Sequence, residues 1–267
     1  IKGAATTGSV YINNTGAVVT GGNFDQDPQQ NTLTGITSNG AIIFSAQSPV
    51  TVSESVSGTG LIEITAGDAA DGTADFLKVE TGVTLRSTGG VNSGIILRSG
   101  DSVIVEDGAI LDTSGEILIE GDTGGSIIDE GVGARFDLAG TFTAARITVK
   151  GNVDDDVIAL TGAFNTQSVV VQGGAQSAEG DTLIANYLIN GAAVENQWHI
   201  TGDNEGDVNE FVTFTDIENL TGNNLDDTFF FNGQGLIDGV VDGAGHVNLD
   251  TIDWLESDYI VEAARLS

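Results

Sequence analysis

The sequence predicts an all-β chain wound as a right-handed parallel β-helix, and three observations carry that expectation. First, whole phrases repeat. Leu61-Ile62-Glu63-Ile64-Thr65-Ala66-Gly67-Asp68, Ile95-Ile96-Leu97-Arg98-Ser99-Gly100-Asp101 and Glu116-Ile117-Leu118-Ile119-Glu120-Gly121-Asp122 are variants of one apolar run closed by Gly-Asp. A second phrase alternates with it: the run from Val79 to Gly89 returns 26 residues later as Val105 to Gly115. Repetition at about 20 to 30 residues marks a solenoid, whose units cannot bury their own apolar faces and stack on neighbours. Second, the apolar bursts are of strand length and are separated by Gly-rich corners. An antiparallel sandwich also has short strands, but it lacks repetition of whole phrases. Third, no sustained 3.6-residue periodicity precedes the last dozen residues. At roughly 20–25 residues per coil the chain makes roughly 11–13 coils, and at about 4.8 Å per coil a rod about 55 Å long.

In chain order, residues 1–48 carry the bursts Val10-Tyr11-Ile12, Ala17-Val18-Val19 and Ala41-Ile42-Ile43-Phe44 among Gly, Thr, Asn and Ser. Residues 49–122 hold the clearest repeats, and 123–150 continue them through Ser126-Ile127-Ile128, Arg135-Phe136-Asp137-Leu138 and Arg146-Ile147-Thr148-Val149. Residues 151–255 set Asp-dense turns between strands such as Val157-Ile158-Ala159-Leu160 and Thr228-Phe229-Phe230-Phe231. The expected organisation is one parallel β-helix over 1–255, changing sequence style at 151, with 256–267 as a terminal strand or cap. In each coil alternate side chains point inward, so Ile, Val, Leu and Ala stack while Thr, Ser, Glu and Asp face water. Asp68, Asp101 and Asp122 follow corner glycines, where an Asp side chain bonds nearby amides.

Composition narrows the function. Eight Lys and Arg against 39 Asp and Glu give a net charge of −31. That charge excludes a counterion-release grip on nucleic acid and repels anionic membranes. No apolar run reaches the ~20 residues that span a bilayer, so membrane insertion is not expected. A saline, calcium-containing exterior tolerates such a charge, which places the chain outside the cell or at its surface. There is no Cys, so disulfides and thiolate metal sites are excluded, and no Met, so Ile1 reads as the start of a processed product or excised piece.

Five turns are similar to the calcium-binding nonapeptide Gly-Gly-x-Gly-x-Asp-x-apolar-x. They are Gly151 to Ile158, Gly222 to Phe229, Gly173-Gly174 with Gly180 to Leu183, Asp242 to Gly245 with Asp250 to Asp253, and a looser Asp71 to Leu77. Ca²⁺ takes six to eight oxygens from carboxylates and carbonyls, which Gly turns expose. Asp156, Asp181 and Asp227 occupy the liganding position, and Asp154, Asp226 and Asp250 complete the candidate set. The turns depart from the pattern: Asn, Asp or Leu stands where Gly is expected, two carry insertions, and they are not consecutive. Asx turns without a metal are the other reading of the same residues.

The run Phe214-Thr215-Asp216-Ile217-Glu218-Asn219-Leu220-Thr221-Gly222 through Asp227-Thr228-Phe229-Phe230-Phe231 resembles a phrase of very large bacterial surface proteins, the filamentous-haemagglutinin-like and repeats-in-toxin-like adhesins. So do Asn196 to Gly202 with Asp207-Val208-Asn209, and Val103 to Leu111 resembles the haemagglutinin-type β-helix repeat. The resemblance covers residues 50–255. It implies a right-handed β-helix, secretion, and a mechanical or adhesive role in a multi-repeat protein, and it supplies no catalytic set.

Catalytic patterns are sparse. Gly-x-Ser-x-Gly and the P-loop are absent, and Gly233 to Gly239 only approximates a dinucleotide fingerprint. His199 and His246 are the only histidines. A glycosidase needs two carboxylates flanking a sugar bond; Asp154, Asp155 and Asp156 supply carboxylates, but in a turn. The basic residues that a polyuronate lyase would need are scattered. Trp198, Trp254, Tyr11, Tyr187 and Tyr259 are too spread to make a sugar platform and most are expected in the core or a cap. The expectation is therefore a non-enzymatic structural rod that supports adhesion or filament assembly, with Ca²⁺ as the candidate ion. Self-association end to end or laterally is expected, with a cell-surface glycan or protein as a further partner. The alternative is a glycan-binding module or a polysaccharide lyase or hydrolase on the same scaffold.

Overall fold

A computed structural model describes residues 3–15, 18–20, 35–68, 75–90, 93–123, 133–176 and 178–255. The described residues form no α-helix and build three sheets of 9, 12 and 9 strands, almost all parallel. The chain visits the sheets in turn. Gly3–Ala5 lies in the first, Val10–Asn13 in the second and Val18–Thr20 in the third; then Ile36–Ser38, Ile42–Gln47 and Val50–Val52 repeat the order. Seven complete rounds end with Ala163–Asn165, Val169–Ala175 and Thr182–Ala185.

Successive rounds stack in register. In the second sheet one inward column runs Ile42, Ile62, Ile95, Ile117, Ile147, Val169, and the next runs Phe44, Ile64, Leu97, Ile119, Val149, Val171. All of these side chains are buried, and they belong to one apolar cluster shared by the three sheets. Strand alternation explains the choice: every second residue turns inward, and a branched aliphatic meets its own kind one round away. The repeated phrases are the stacked units themselves, since Leu85 pairs with Leu111 and Val79 with Val105.

The rounds are longer and fewer than the expected 11–13. The advance is 20 residues from Ile36 to its partner Val56 but 33 from Gly3 to Ile36, because corners accept insertions without disturbing the strands. The change of sequence style at 151 leaves the architecture intact, since Arg146–Val153 and Val169–Ala175 keep their pairing. The break comes after Ala185. Leu188–Ile189 and Ala192–Ala193 close the first sheet as an antiparallel hairpin, turned by Asn190 and Gly191 at φ 50° and 77°. Gln197–Gly202, Glu205–Val208 and Val212–Thr215 then enter the second sheet as an antiparallel meander. Val212–Thr215 lies on Val169–Ala175, and Gln197–Gly202 lies against Thr228–Asn232. From there the chain alternates between the third and second sheets through Asn219–Thr221, Thr228–Asn232, Val241–Asp242 and Thr251–Leu255.

Aromatics gather where the rounds become irregular. Phe142 stacks on Phe164 at 4.8 Å, Phe164 meets Tyr187 edge-on, and Trp198 stacks on Phe229 at 5.4 Å. Tyr187 and Trp198 are buried as expected, whereas Tyr11 and Trp254 are 74% and 42% exposed. Tyr259, the segment Ser126 to Ile128, residues 71–74 of the loosest turn and the 256–267 tail lie outside the described residues. On the outer faces every Lys and Arg among the described residues pairs with a carboxylate. Arg98 bridges Glu63 and Glu120, Lys150 reaches Glu120 at 3.6 Å, and Arg146, Lys78, Arg86 and Arg135 take Glu116, Glu106, Asp112 and Asp137.

Leu97 sits mid-column with no exposure, so Leu97→Ala leaves a cavity and should cost about 2–5 kcal/mol in denaturant unfolding. A loss well below about 1 kcal/mol would mean that the column is not packed as described.

Candidate functional site

The concentrated chemistry of the chain is a set of carboxylates at the corners. One column marks the entry to the third sheet. Asp75, Asp101, Asp156, Asp181 and Glu218 each stand immediately before a third-sheet strand, respectively Phe76–Val79, Ser102–Val105, Val157–Leu160, Thr182–Ala185 and Asn219–Thr221. Four of these carboxylates, those of Asp101, Asp156, Asp181 and Glu218, accept an amide from the round before. Asp75 N donates to Asp101 Oδ2 at 2.6 Å, Ala134 N to Asp156 Oδ1 at 2.6 Å, Asp156 N to Asp181 Oδ1 at 2.7 Å, and Asp181 N to Glu218 Oε2 at 2.8 Å. A second column, Asn196, Asp227 and Asp250, precedes the second-sheet strands Gln197–Gly202, Thr228–Asn232 and Thr251–Leu255. There Asp227 N donates to Asp250 Oδ1 at 2.9 Å, and Asn223 N to Asp227 Oδ2 at 2.9 Å.

The residues beside two of these aspartates act differently. Asp155 accepts the amides of Ala178, Glu179 and Gly180 at 3.2, 2.9 and 3.0 Å. Asp226 accepts those of Val247, Asn248 and Leu249 at 2.9, 2.6 and 3.1 Å, and the Asn248 side chain at 2.6 Å. In each Asp-Asp doublet the first member thus clamps the next loop, while the second holds a strand-entry amide at Asp156 and the Asn223 amide of its own turn at Asp227. Glycine makes room for the second member. A Cβ on Gly151 would fall on Asp156 Oδ2, on Gly173 upon Asp181 Oδ2, on Gly222 upon Asp227 Oδ2 and on Gly243 upon Asp250 Oδ2.

Burial sets the electrostatics. Asp156, Asp181 and Asp227 have no exposure. Burial, then the charges of Asp181 and Asp154, push Asp156 up to about 8. Burial, with Glu218, Asp155 and Asp216 nearby, pushes Asp181 up to about 7. Burial, with Asp250, raises Asp227 to about 6, against the Asn223 amide and the facing Asn196 and Trp198 side chains. Asp226 goes the other way, to about 2, because the Asn248 amide and side chain and the Leu249 and Val247 amides favour its charged form. Asp156 Oδ2, Asp181 Oδ2 and Asp227 Oδ1 are buried without a protein hydrogen bond of normal geometry.

The six aspartates singled out from sequence therefore fall into separate settings. Asp156 and Asp181 share one column and Asp227 and Asp250 the other; Asp226 is a loop clamp, and Asp154 is half-buried in the left-handed region at φ 64°. Glu218 and Asn196, not among the aspartates singled out from sequence, complete the columns, and Asp155 is a second loop clamp. The signal that could have found them is position: each occupies the last or next-to-last place before a strand. A Ca²⁺ would need six to eight oxygens converging on it. One oxygen of each of Asp156, Asp181, Asp227 and Asp250 is held by an amide, and both oxygens of Asp226 are occupied. Among the described residues no three Asp, Glu, His or Cys side chains are placed to share a metal ion. His199 bonds Asp207 at 3.0 Å and stacks on Phe230, and His246 lies 3.5 Å from Asp250 in its corner loop.

Searches against protein-family models, curated proteins and solved structures find no match to this chain. The likeness to surface adhesins accordingly rests on the sequence phrases alone.

Two predictions follow from the corners. The raised aspartates bind protons more tightly folded than unfolded, so their stabilisation is complete below the unfolded value of about 4 and is lost as pH rises through 6 to 8. The calorimetric unfolding midpoint should therefore fall across that window; a rising midpoint would contradict it. Gly173→Ala places a methyl on the Asp216 carbonyl and Asp181 Oδ2, and should cost about 1–3 kcal/mol in denaturant unfolding. An unchanged midpoint would mean that the corner has slack.

Proposed function

We propose that this chain is a right-handed parallel β-helix segment of a secreted bacterial surface or extracellular-matrix protein, acting as a stiff rod that supports adhesion or filament assembly. The observation that carries this reading is the unbroken register of the inward columns, with Ile42, Ile62, Ile95, Ile117 and Ile147 stacked over successive rounds. A helix closed around that aliphatic interior is the simplest arrangement in which three sheets visited in rotation share one core. Twelve strands at about 4.8 Å make the second sheet about 53 Å long. The pairing of every described basic side chain with a carboxylate favours a solvated acidic exterior over a groove for polyanionic sugar.

Copies of the rod associate end to end in this proposal. Among the described residues Val10–Asn13 and Thr251–Leu255 are the outermost strands of the second sheet, positions where backbone groups can pair with a further strand. Val10, Ile12 and Ile252 extend the inward columns to these edges. Sedimentation velocity over a concentration series tests the reading. It should give species at integer multiples of 27.3 kDa with increasingly elongated shape. A compact monomer at every concentration would sink it.

A further inference from the structure

The outer face of the second sheet reads the same from either end. Six stacked strands, from Ile42–Gln47 to Val169–Ala175, set one outward row in register: Ile43, Glu63, Ile96, Leu118, Thr148 and Val170. The order is apolar, polar, apolar, then apolar, polar, apolar, and all of these side chains are half-buried. Charge is arranged about the same midpoint with its sign inverted. Glu63 makes Ile62–Gly67 negative and Arg98 makes Gly94–Ser99 positive. Glu116 and Glu120 make the next strand doubly negative, and Arg146 and Lys150 make Arg146–Val153 doubly positive. The flanking strands Ile42–Gln47 and Val169–Ala175 carry no charge. The six strands are therefore neutral as a group in a chain of net charge −31, and no Lys or Arg stands between 151 and 255.

A two-fold axis lying in the face, along the strands and midway between Gly94–Ser99 and Glu116–Glu120, uses both patterns. It sets Ile96 against the partner's Leu118, Ile43 against the partner's Val170 and Glu63 against the partner's Thr148. In the next outward row it sets Arg98 against the partner's Glu120 and Thr65 against the partner's Lys150. Such a contact is isologous, each pair occurring twice. A two-fold along the stacking direction would face each strand with itself, Glu116 with the partner's Glu120 and Arg146 with the partner's Lys150, and like charges across an interface are costly. In the first arrangement the strands from Glu205–Val208 to Thr251–Leu255 project past the partner's Val10–Asn13 at opposite ends, so the cation-free stretches do not meet. Salt screens charges farther apart than about 8 Å, so the neutral face rather than the net charge governs the contact. We infer that this face docks a second copy of the chain, antiparallel and side by side. Six strands about 4.8 Å apart and five residues of about 3.3 Å each cover roughly 29 by 17 Å, or about 1,000 Å² over two copies, which suits a weak, reversible dimer.

Charge complementation in the whole chain tests it, by sedimentation velocity over a concentration series at about 0.15 M salt. The parent should form a reversible dimer. Ile96→Glu and Leu118→Lys each put a charge against an apolar side chain of the partner, and each alone should raise the dimer dissociation constant about tenfold or more. Mixed in equal amounts they should recover the dimer, because the introduced carboxylate then faces the introduced ammonium in one half of the interface while the other half keeps Ile96 against the partner's Leu118. Recovery on mixing also shows that both variants are folded. A parent that never dimerises, variants that associate like the parent, or a mixture no stronger than either variant alone would overturn the inference. End-to-end growth continues past two copies and does not involve these outward positions, so the two kinds of association fail separately. A series that stops at two in the parent and at one in each variant supports the face and removes end-to-end growth; growth that is identical in parent and variants does the reverse.

Discussion

Every other feature of this molecule depends on the in-register pairing of each round with the next. A strand of two to eight residues has no stability of its own, and its amides and carbonyls find partners in the adjacent rounds. Register also decides burial. A slip of one residue would carry Ile62, Ile95 and Ile117 to the surface and bring Glu63, Ile96 and Leu118 inward. The aliphatic columns and the backbone ladders therefore enforce one another, and the interior needs neither cysteine nor a large aromatic core.

Corners are where such an arrangement is weakest, since the strands end there and loop amides lose their ladder partners. This chain answers with carboxylates. Asp155 and Asp226 each gather three consecutive amides of the next loop, while Asp156, Asp181 and Asp250 accept the amide at a strand entry of the preceding round. Much of the acidity is thus structural as well as solubilising. The two uses have opposite electrostatic signs: Asp226 is bonded in its charged form in water, whereas Asp156 is buried among other carboxyls and favours its acid. Glycine completes the device, because only a residue without Cβ leaves space for the buried carboxyl at Gly151, Gly173, Gly222 and Gly243.

Much of the fold was legible because repetition is written in the side chains. The pairing of Leu85 with Leu111 is visible in the sequence as a 26-residue offset, and the alternation of Glu116-Ile117-Leu118-Ile119-Glu120 already separates inside from outside. The number of rounds was not legible, since insertions lengthen a corner and leave strand phrases unchanged. Nor was the antiparallel meander from Gln197 to Thr215, whose reversals rest on Asn204, Asn209 and Glu210 in left-handed backbone, a state that Asn tolerates and Glu does not advertise. At the site, the aspartates after glycine stood out by spacing, but their partners did not. That Asp155 reaches residues 178–180 and Asp226 reaches 247–249 depends on the stacking distance between rounds, which no local motif encodes.

The most direct test of the account is cross-linking of one register pair in a chain that has no cysteine of its own. Thr148 and Val170 are paired neighbours on the outer face of the second sheet, in consecutive rounds. Thr148→Cys with Val170→Cys should oxidise to an intramolecular disulfide in the folded protein, since neighbouring strands lie about 4.7–4.9 Å apart, within the roughly 4.4–6.8 Å between Cα atoms that a disulfide accepts. Thr148→Cys with Gln172→Cys, two residues out of register, should oxidise far less. Equal yields from both pairs, or preference for the second, would contradict the stacking on which the rest of the structure depends.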